Sequence, residues 1–202
     1  MIKPALGTAG ALLFGKLPAH GDFVGRGIDP HDRDALDRWL AASLAEARAR
    51  LGDAFDDLYE EAPAWRFAWA DPAGWSAGAM ALSVDSVGRR YPILIALTGL
   101  AGDQVEAAAA AAENLIYDAL EGGWDADRLH EAAARTTPEP MTTWEGGEGW
   151  WTLGGARFNE SYLVGSRPTG LLTTLLTPAA PEPAAAVAVQ AEADRGGERD
   201  DA

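Results

Sequence analysis

The hydrophobic and polar positions of the chain follow first a strand-like and then a helical period. Residues 11–14 form a short apolar run ended by Gly15, which predicts a buried strand. Asp29 and Pro30 then favour a helix start, and an inner stripe recurs at helical spacing until Gly52. The stripe consists of Leu36, Trp39, Leu40, Ser43, Ala47 and Leu51. This pattern predicts an amphipathic surface helix.

Strand-like patterns return after Pro63. In the stretch WRFAW at 65–69, large side chains alternate with others, as in a half-buried strand. A Pro-Gly turn at 71–74 joins it to WSAGAMALSV, which favours a hairpin. The run YPILIAL predicts another strand, which begins near Ile93 because proline cannot sit in mid-sheet.

The second half of the chain begins with helical patterns. The alanine-rich segment 103–121 predicts a helix that ends at a glycine pair, and 125–135 predicts a second one. GWWTLGG and SYLVG then predict two short strands. The pattern of 171–176 fits either a helix or a strand.

This order of elements does not repeat a βαβ unit. We therefore predict an α+β fold, a single domain with a mostly antiparallel or mixed sheet flanked by helices. The expected boundaries are a flexible leader at 1–10, the folded domain at 11–177 and a disordered acidic tail at 178–202. From residue 182 onward the tail carries six acids against two arginines and no aromatic residue, too little apolar surface to offset the entropy of ordering.

Charge and composition exclude several functions. The formal net charge is −15 and the 16 lysines and arginines are scattered, so nucleic acid is a poor partner. The chain has no cysteine, which removes disulfides, thiolate nucleophiles and Cys-ligated zinc. It also has no uninterrupted apolar run of about 18 residues, so we expect no membrane insertion and a cytoplasmic location.

The stretch FGKLPAHGDFV at 14–24 offers the first candidate chemistry. His20 and Asp22 are the residue types of a hydrolase base and its orienting acid. Their side chains need not converge from a loop, and the chain lacks a Gly-x-Ser-x-Gly elbow. We favour a structural or partner-binding role, in which Asp22 caps backbone amides, and keep a small hydrolase as the alternative.

Metal and nucleotide sites are not indicated. His20 and His31 lie near acids, but their spacing matches no ligand pattern. Lys16 follows a glycine yet lacks the Ser or Thr that ends a phosphate-binding loop. We therefore expect no metal and no cofactor.

The stretch SVDSVGRRYP at 83–92 combines a tight turn with two planar cations. Asp85 is within reach of Arg89 or Arg90, and one of these arginines is expected to brace the loop at 20–22. Direct recognition of a partner is the other reading. Trp144 lies among glycines, where core filling and a binding edge are equally favoured.

Taken together, several stretches resemble the TagF family, also called ImpM, of type VI secretion accessory proteins. They are GKLPAHGDFV at 15–24, WL at 39–40, APAWRF at 62–67, SVDSVGRRYPI at 83–93 and WWTLGG at 150–155. Their order extends over roughly residues 12–170.

The resemblance implies a cytoplasmic, non-enzymatic, post-translational repressor of type VI secretion that binds the forkhead-associated scaffold protein. It carries over no catalytic set. In this reading Lys16, His20 and Asp22 form an exposed polar edge beside Arg89 and Arg90. A structural subunit of the secretion apparatus is a further alternative. The candidate partner-binding or loop-bracing residues are Lys16, His20, Asp22, Asp85, Arg89, Arg90 and Trp144.

Overall fold

A computed structural model of the protein describes residues 10–71 and 73–180. In these residues seven strands form one sheet in the order β2-β1-β5-β4-β3-β6-β7, and every neighbouring pair is antiparallel. The strands are β1 Gly10–Gly15, β2 Val24–Arg26, β3 Trp65–Asp71, β4 Gly74–Ala81, β5 Ile93–Leu100, β6 Gly149–Thr152 and β7 Ser161–Val164. The helices are α1 Pro30–Leu51, α2 Phe55–Glu61, α3 Val105–Gly122, α4 Ala126–Arg135 and α5 Leu171–Leu175. The predicted α+β fold is confirmed.

Helices cover the sheet on both faces, so the domain has two hydrophobic cores. One core packs α3 and α4 against side chains such as Leu13 and Ile95. The other packs α1, α2 and α5 against their strand neighbours, such as Phe14 and Leu94. Because adjacent residues of a strand point to opposite faces, a central strand buried on both sides must be apolar throughout. This accounts for the continuous apolar run at the start of β5.

Small side chains set the distance between α3 and the sheet. The β4 residues Ala77 and Ala79 are fully buried and belong to the same core as Ala109 and Ala112 of α3. Alanine on both elements lets the helix approach the central strands closely, as the many contacts of α3 with β4 and β5 require. The small residues of β4 therefore form the surface of the sheet on which α3 packs.

Most predicted elements are present with small shifts at their ends. Asp29 caps α1 by accepting a hydrogen bond from the His31 amide at 2.8 Å, and α1 ends at the residue before Gly52. Residues 171–175 form a helix, α5, which settles the segment left open by its pattern. Two elements, β2 and α2, are additions that the sequence did not predict. Most of the predicted leader and tail, 1–9 and 181–202, lies outside the described residues.

Candidate functional site: two loops joined by a buried ion network

Two loops meet at one end of the sheet. Residues 16–23 join β1 to β2 and will be called loop A; residues 82–92 join β4 to β5 and will be called loop B. The register pairs Gly15 with Ile93, so the end of β1 lies beside the start of β5 and the loops are neighbours. The Ser86 amide donates to His20 O at 2.8 Å, which joins the loops through their backbones.

Asp85 is the centre of the contact between the loops. Its Oδ2 accepts hydrogen bonds from Lys16 Nζ of loop A at 2.8 Å and from Arg89 Nε at 2.6 Å. Its Oδ1 accepts from the backbone amides of Val87 at 3.1 Å and Arg89 at 2.9 Å. Arg89 Nη2 also donates to Gly21 O. One carboxylate thus shapes loop B and holds loop A through two cations.

Burial makes this network an internal structural element. The side chain of Asp85 is 0% exposed and that of Lys16 is 6% exposed. Burial by itself would raise the pKa of Asp85, but hydrogen bonds from Lys16 and Arg89 hold that pKa well below its ordinary value. The prediction that Lys16 belongs to an exposed polar edge is wrong, because the lysine turns inward to neutralise a buried carboxylate. Such a pair fixes geometry more reliably than it adds net stability.

The low pKa of Asp85 has a consequence for acid stability. A carboxylate whose folded-state pKa lies below its unfolded value of 3.8 contributes stability that is present above that pH and lost as the pH falls. We expect the difference in unfolding free energy between the native protein and Asp85→Asn to be constant from about pH 7 to pH 5 and to narrow below about pH 4. Urea denaturation across this range measures it. A difference that persists unchanged to about pH 2.5 would contradict the ionised network.

His20 and Asp22 are committed to backbone groups. His20 Nε2 accepts a hydrogen bond from the Ala126 amide at 3.0 Å, which joins loop A to the start of α4. Asp22 Oδ1 accepts from the Phe23 amide at 2.8 Å, as expected of a short acid in a turn. The sequence did not predict the contact with α4, since it lies 106 positions away along the chain.

The outer surface of the two loops carries two exposed apolar side chains. Phe23 is 45% exposed and Val87 is 71% exposed. Phe23 packs edge-on against Tyr91, with ring centroids 4.7 Å apart, and Lys16 Nζ lies 5.0 Å from its ring. Phe23 and Val87, together with exposed Asp22, Ser86 and Arg89, will be called the two-loop surface.

Arg90 braces loop B from the other side. It forms ion pairs with Glu60 at 2.9 Å and Asp56 at 3.3 Å, both on α2. One of Arg89 and Arg90 was expected to brace loop A, and among the described residues Arg89 donates to Gly21 O of this loop whereas Arg90 bonds to Glu60. The Tyr59 hydroxyl of α2 donates to Ser83 O at 2.7 Å and accepts from the Ser83 amide at 3.2 Å. Sequence reasoning missed Tyr59 because it missed α2.

Trp144 is distant from these loops in the sequence. In the part of the chain that the structure describes, it makes no hydrogen bond or ring contact with either loop. Its ring stacks on Trp151, with centroids 4.7 Å apart, and its indole N–H donates to Gly147 O at 2.8 Å. Both tryptophans are half-buried against the core on the α3 side. Trp150 is fully buried in the other core. The structure thus gives Trp144 a packing role with one side left in solvent.

The chemistry open to this site is limited by what its polar atoms already bind. Asp85 is sealed from solvent, and His20 Nε2 is occupied by an amide. In residues 10–71 and 73–180, no three His, Cys, Asp or Glu side chains come together as a metal-binding group. None of the helices in that part of the chain has the length and apolar character needed to cross a membrane.

The fold matches a solved structure over most of its length. The crystal structure of PA0076 from Pseudomonas aeruginosa PAO1 aligns with a TM-score of 0.66 and 24% sequence identity, covering 83% of this chain and 94% of that one. At this identity the likeness establishes the fold alone. A search of curated proteins gave no match.

The family comparison adds the biological setting. The family model described as TagF N-terminal domain, type VI secretion system-associated, matches residues 12–136, which include both loops and the Lys16–Asp85–Arg89 network. This match links the protein to the type VI secretion system. The chain belongs to the TagF family.

Proposed function

We propose that this protein is a non-enzymatic, post-translational repressor of type VI secretion system assembly or firing. It acts in the cytoplasm by binding a component of the system, such as the forkhead-associated scaffold protein, through the two-loop surface. Family membership supports the setting. The two-loop surface supports the binding mode.

The observation that supports the proposal is an exposed surface formed by two loops that internal contacts hold in place. Buried Asp85 and Lys16 join the two loops with the help of Arg89, and His20 and Asp22 each accept a hydrogen bond from a backbone amide. A surface that is already ordered loses little conformational entropy on binding, so more of the contact energy appears as affinity. Exposed Phe23 and Val87 are the apolar anchors of such a contact, with polar groups around them.

Deletion of the gene distinguishes the repressor from its alternatives. Loss of a repressor increases secretion of type VI effectors, whereas loss of a structural subunit abolishes it. We expect the deletion strain to secrete more effector and the reintroduced protein to reverse the increase, measured by immunoblotting of culture supernatants. Abolished secretion after deletion would identify a subunit and overturn the proposal.

Surface variants test whether the two-loop surface is responsible. We expect Val87→Asp, which places a charge on an apolar anchor, to remain folded and to lose at least about tenfold in affinity for the bound component.

Asp22→Ala and Arg90→Ala should likewise leave a folded protein that no longer suppresses secretion. Arg90→Ala would act by releasing loop B from α2. Co-purification, secretion and thermal unfolding are measured for each variant.

Met141→Asp is the matched control, because Met141 is 59% exposed and lies outside both loops. It should behave as the native protein does. Equal loss of suppression in Met141→Asp and Val87→Asp would contradict a specific role for the two-loop surface. Turnover of a substrate that is lost on His20→Ala would instead favour the hydrolase.

A further inference from the structure

The two edges of the sheet are protected to different degrees. At one edge, β2 is only three residues long, α4 packs beside it, and Arg26 is held by Asp127 at 2.7 Å. At the other edge is β7, and no further strand lies beyond it in residues 10–71 and 73–180. β7 is also short, with four residues, but its sequence SYLV contains no proline and no charged residue of the kind that protects sheet edges.

The hydrogen-bond pattern shows which backbone groups face outward from β7. The Gly165 amide donates to Glu148 O at 2.8 Å, and the register pairs Val164 with Gly149 and Tyr162 with Trp151. In an antiparallel ladder, hydrogen-bonded and non-hydrogen-bonded pairs alternate. Tyr162 and Val164 therefore direct their N–H and C=O groups away from β6, toward the open edge.

The side chains of these two residues form an apolar strip along the edge. Val164 is 79% exposed and Tyr162 is 42% exposed, and both lie on the same face as Trp151. The Tyr162 ring crosses Gly149, and its hydroxyl donates to Gly146 O at 2.5 Å. The tyrosine is thus fixed in place, and Val164 extends the strip into solvent.

The charges around β7 select the kind of segment that fits there. Glu160 directly precedes β7 and Glu145 lies four residues before β6, and both are exposed, whereas the Glu148 carboxylate accepts a hydrogen bond from the Ala70 amide of β3 at 3.2 Å. Two arginines near β7 could neutralise these acids. Arg157 is already ion-paired with Glu61 at 2.6 Å, which leaves Arg167. A second copy of this chain would bring the same acids and a net charge of −15 to the edge, so self-pairing is disfavoured.

We propose that β7 is a docking edge for an extended, basic segment of a partner protein, which adds as an eighth strand. Its backbone pairs with the outward groups of Tyr162 and Val164, its alternate apolar side chains pack on the strip, and its flanking lysines or arginines face the acids. This interface goes beyond the proposed function, because it lies at the sheet edge opposite the strands that carry loop A.

A defined peptide tests the proposal on the full chain. The probe is an end-blocked peptide of sequence Lys-Val-Thr-Val-Thr-Val-Lys, with amide hydrogen exchange followed residue by residue by NMR. We expect exchange of the Tyr162 and Val164 amides to slow by at least about tenfold at millimolar peptide, while the Leu163 amide, already in the ladder, does not change. A peptide with both lysines replaced by glutamate should bind more weakly.

Two substitutions at one position separate the backbone and charge contributions. Val164→Pro removes an outward N–H without breaking a bond to β6, and Val164→Lys places a cation on the strip. Both should abolish the protection. Val87→Lys is the matched control, since Val87 is 71% exposed and belongs to the two-loop surface; it should leave peptide binding unchanged.

The following results would overturn the proposal. No protection up to about 5 mM peptide, or equal protection by the acidic peptide, would exclude a basic strand partner. Slow exchange at Tyr162 and Val164 without peptide would mean that the edge is already occupied. Dependence on protein concentration would then identify a second copy, and loss of protection on truncation after Ala180 would identify the chain's own C-terminal segment.

Discussion

Replacing Asp85 with alanine will lower the midpoint of thermal unfolding by about 10 °C, the largest effect we expect from a single side-chain deletion in this protein. The substitution leaves the ammonium group of Lys16 buried without its carboxylate and frees the guanidinium of Arg89. It also removes the acceptor of the Val87 and Arg89 amides, which define the turn of loop B. Differential scanning calorimetry at about pH 7 measures the shift.

A double-mutant cycle separates the charge effect from the lost volume. Lys16→Met removes the stranded cation, so we expect Asp85→Ala combined with Lys16→Met to be less destabilised than the sum of the single variants. The cycle uses thermal and urea unfolding of all four proteins. Strict additivity would show that the two side chains are not energetically coupled and would contradict the network as the link between the loops.

Replacing Gly15 with alanine will destabilise the fold by about 3 kcal/mol or more and will displace loop A. Gly15 has φ +140°, which an L-residue rarely adopts, and it stands where β1 leaves the sheet. A Cβ there would overlap Pro92 O and come within 2.8 Å of Ile93 Cα, both backbone atoms of the neighbouring segment. The strands would have to separate to make room. Urea denaturation reports the loss.

Two other glycines in the same loops are matched controls. Gly88→Ala places a side chain in open space at φ +82°, so only the backbone strain of about 1–2 kcal/mol is expected. Gly21→Ala brings its Cβ to 3.3 Å from Ser86 Oγ, a side chain that can rotate, and should change stability by less than about 0.5 kcal/mol. Equal losses at all three positions would contradict the close approach of β1 and β5 as the cause.

The elements that the sequence predicted are those whose patterns are long or bounded by strong signals. α1 begins at Pro30 and ends before Gly52, as its capping residues and stripe require. α2 was missed because its seven residues, FDDLYEE, are too short for a helical period to stand out. β2 was missed because three residues carry no alternation, and the segment becomes a strand by pairing with β1.

The sequence predicted which residues belong to the candidate site better than it predicted how they are arranged. The sequence singled out Lys16, Asp85 and Arg89, and the structure joins them in one network. The sequence could not show that the Lys16 side chain points inward. A lysine is usually solvated and becomes buried only where it pairs with a buried carboxylate. The sequence also could not predict the partners of His20 and Arg90, because α4 and α2 approach the loops only in the folded chain.

By itself, the amino-acid sequence determined the α+β class, the positions of the long elements and the family resemblance, because periodicity, capping residues and short motifs are local properties of the chain. Only the tertiary structure decided which side chains meet. The network of Lys16 and Asp85 spans 69 positions, and the open edge at β7 exists because the sheet ends there. Such contacts depend on strand order and register, which local sequence does not encode.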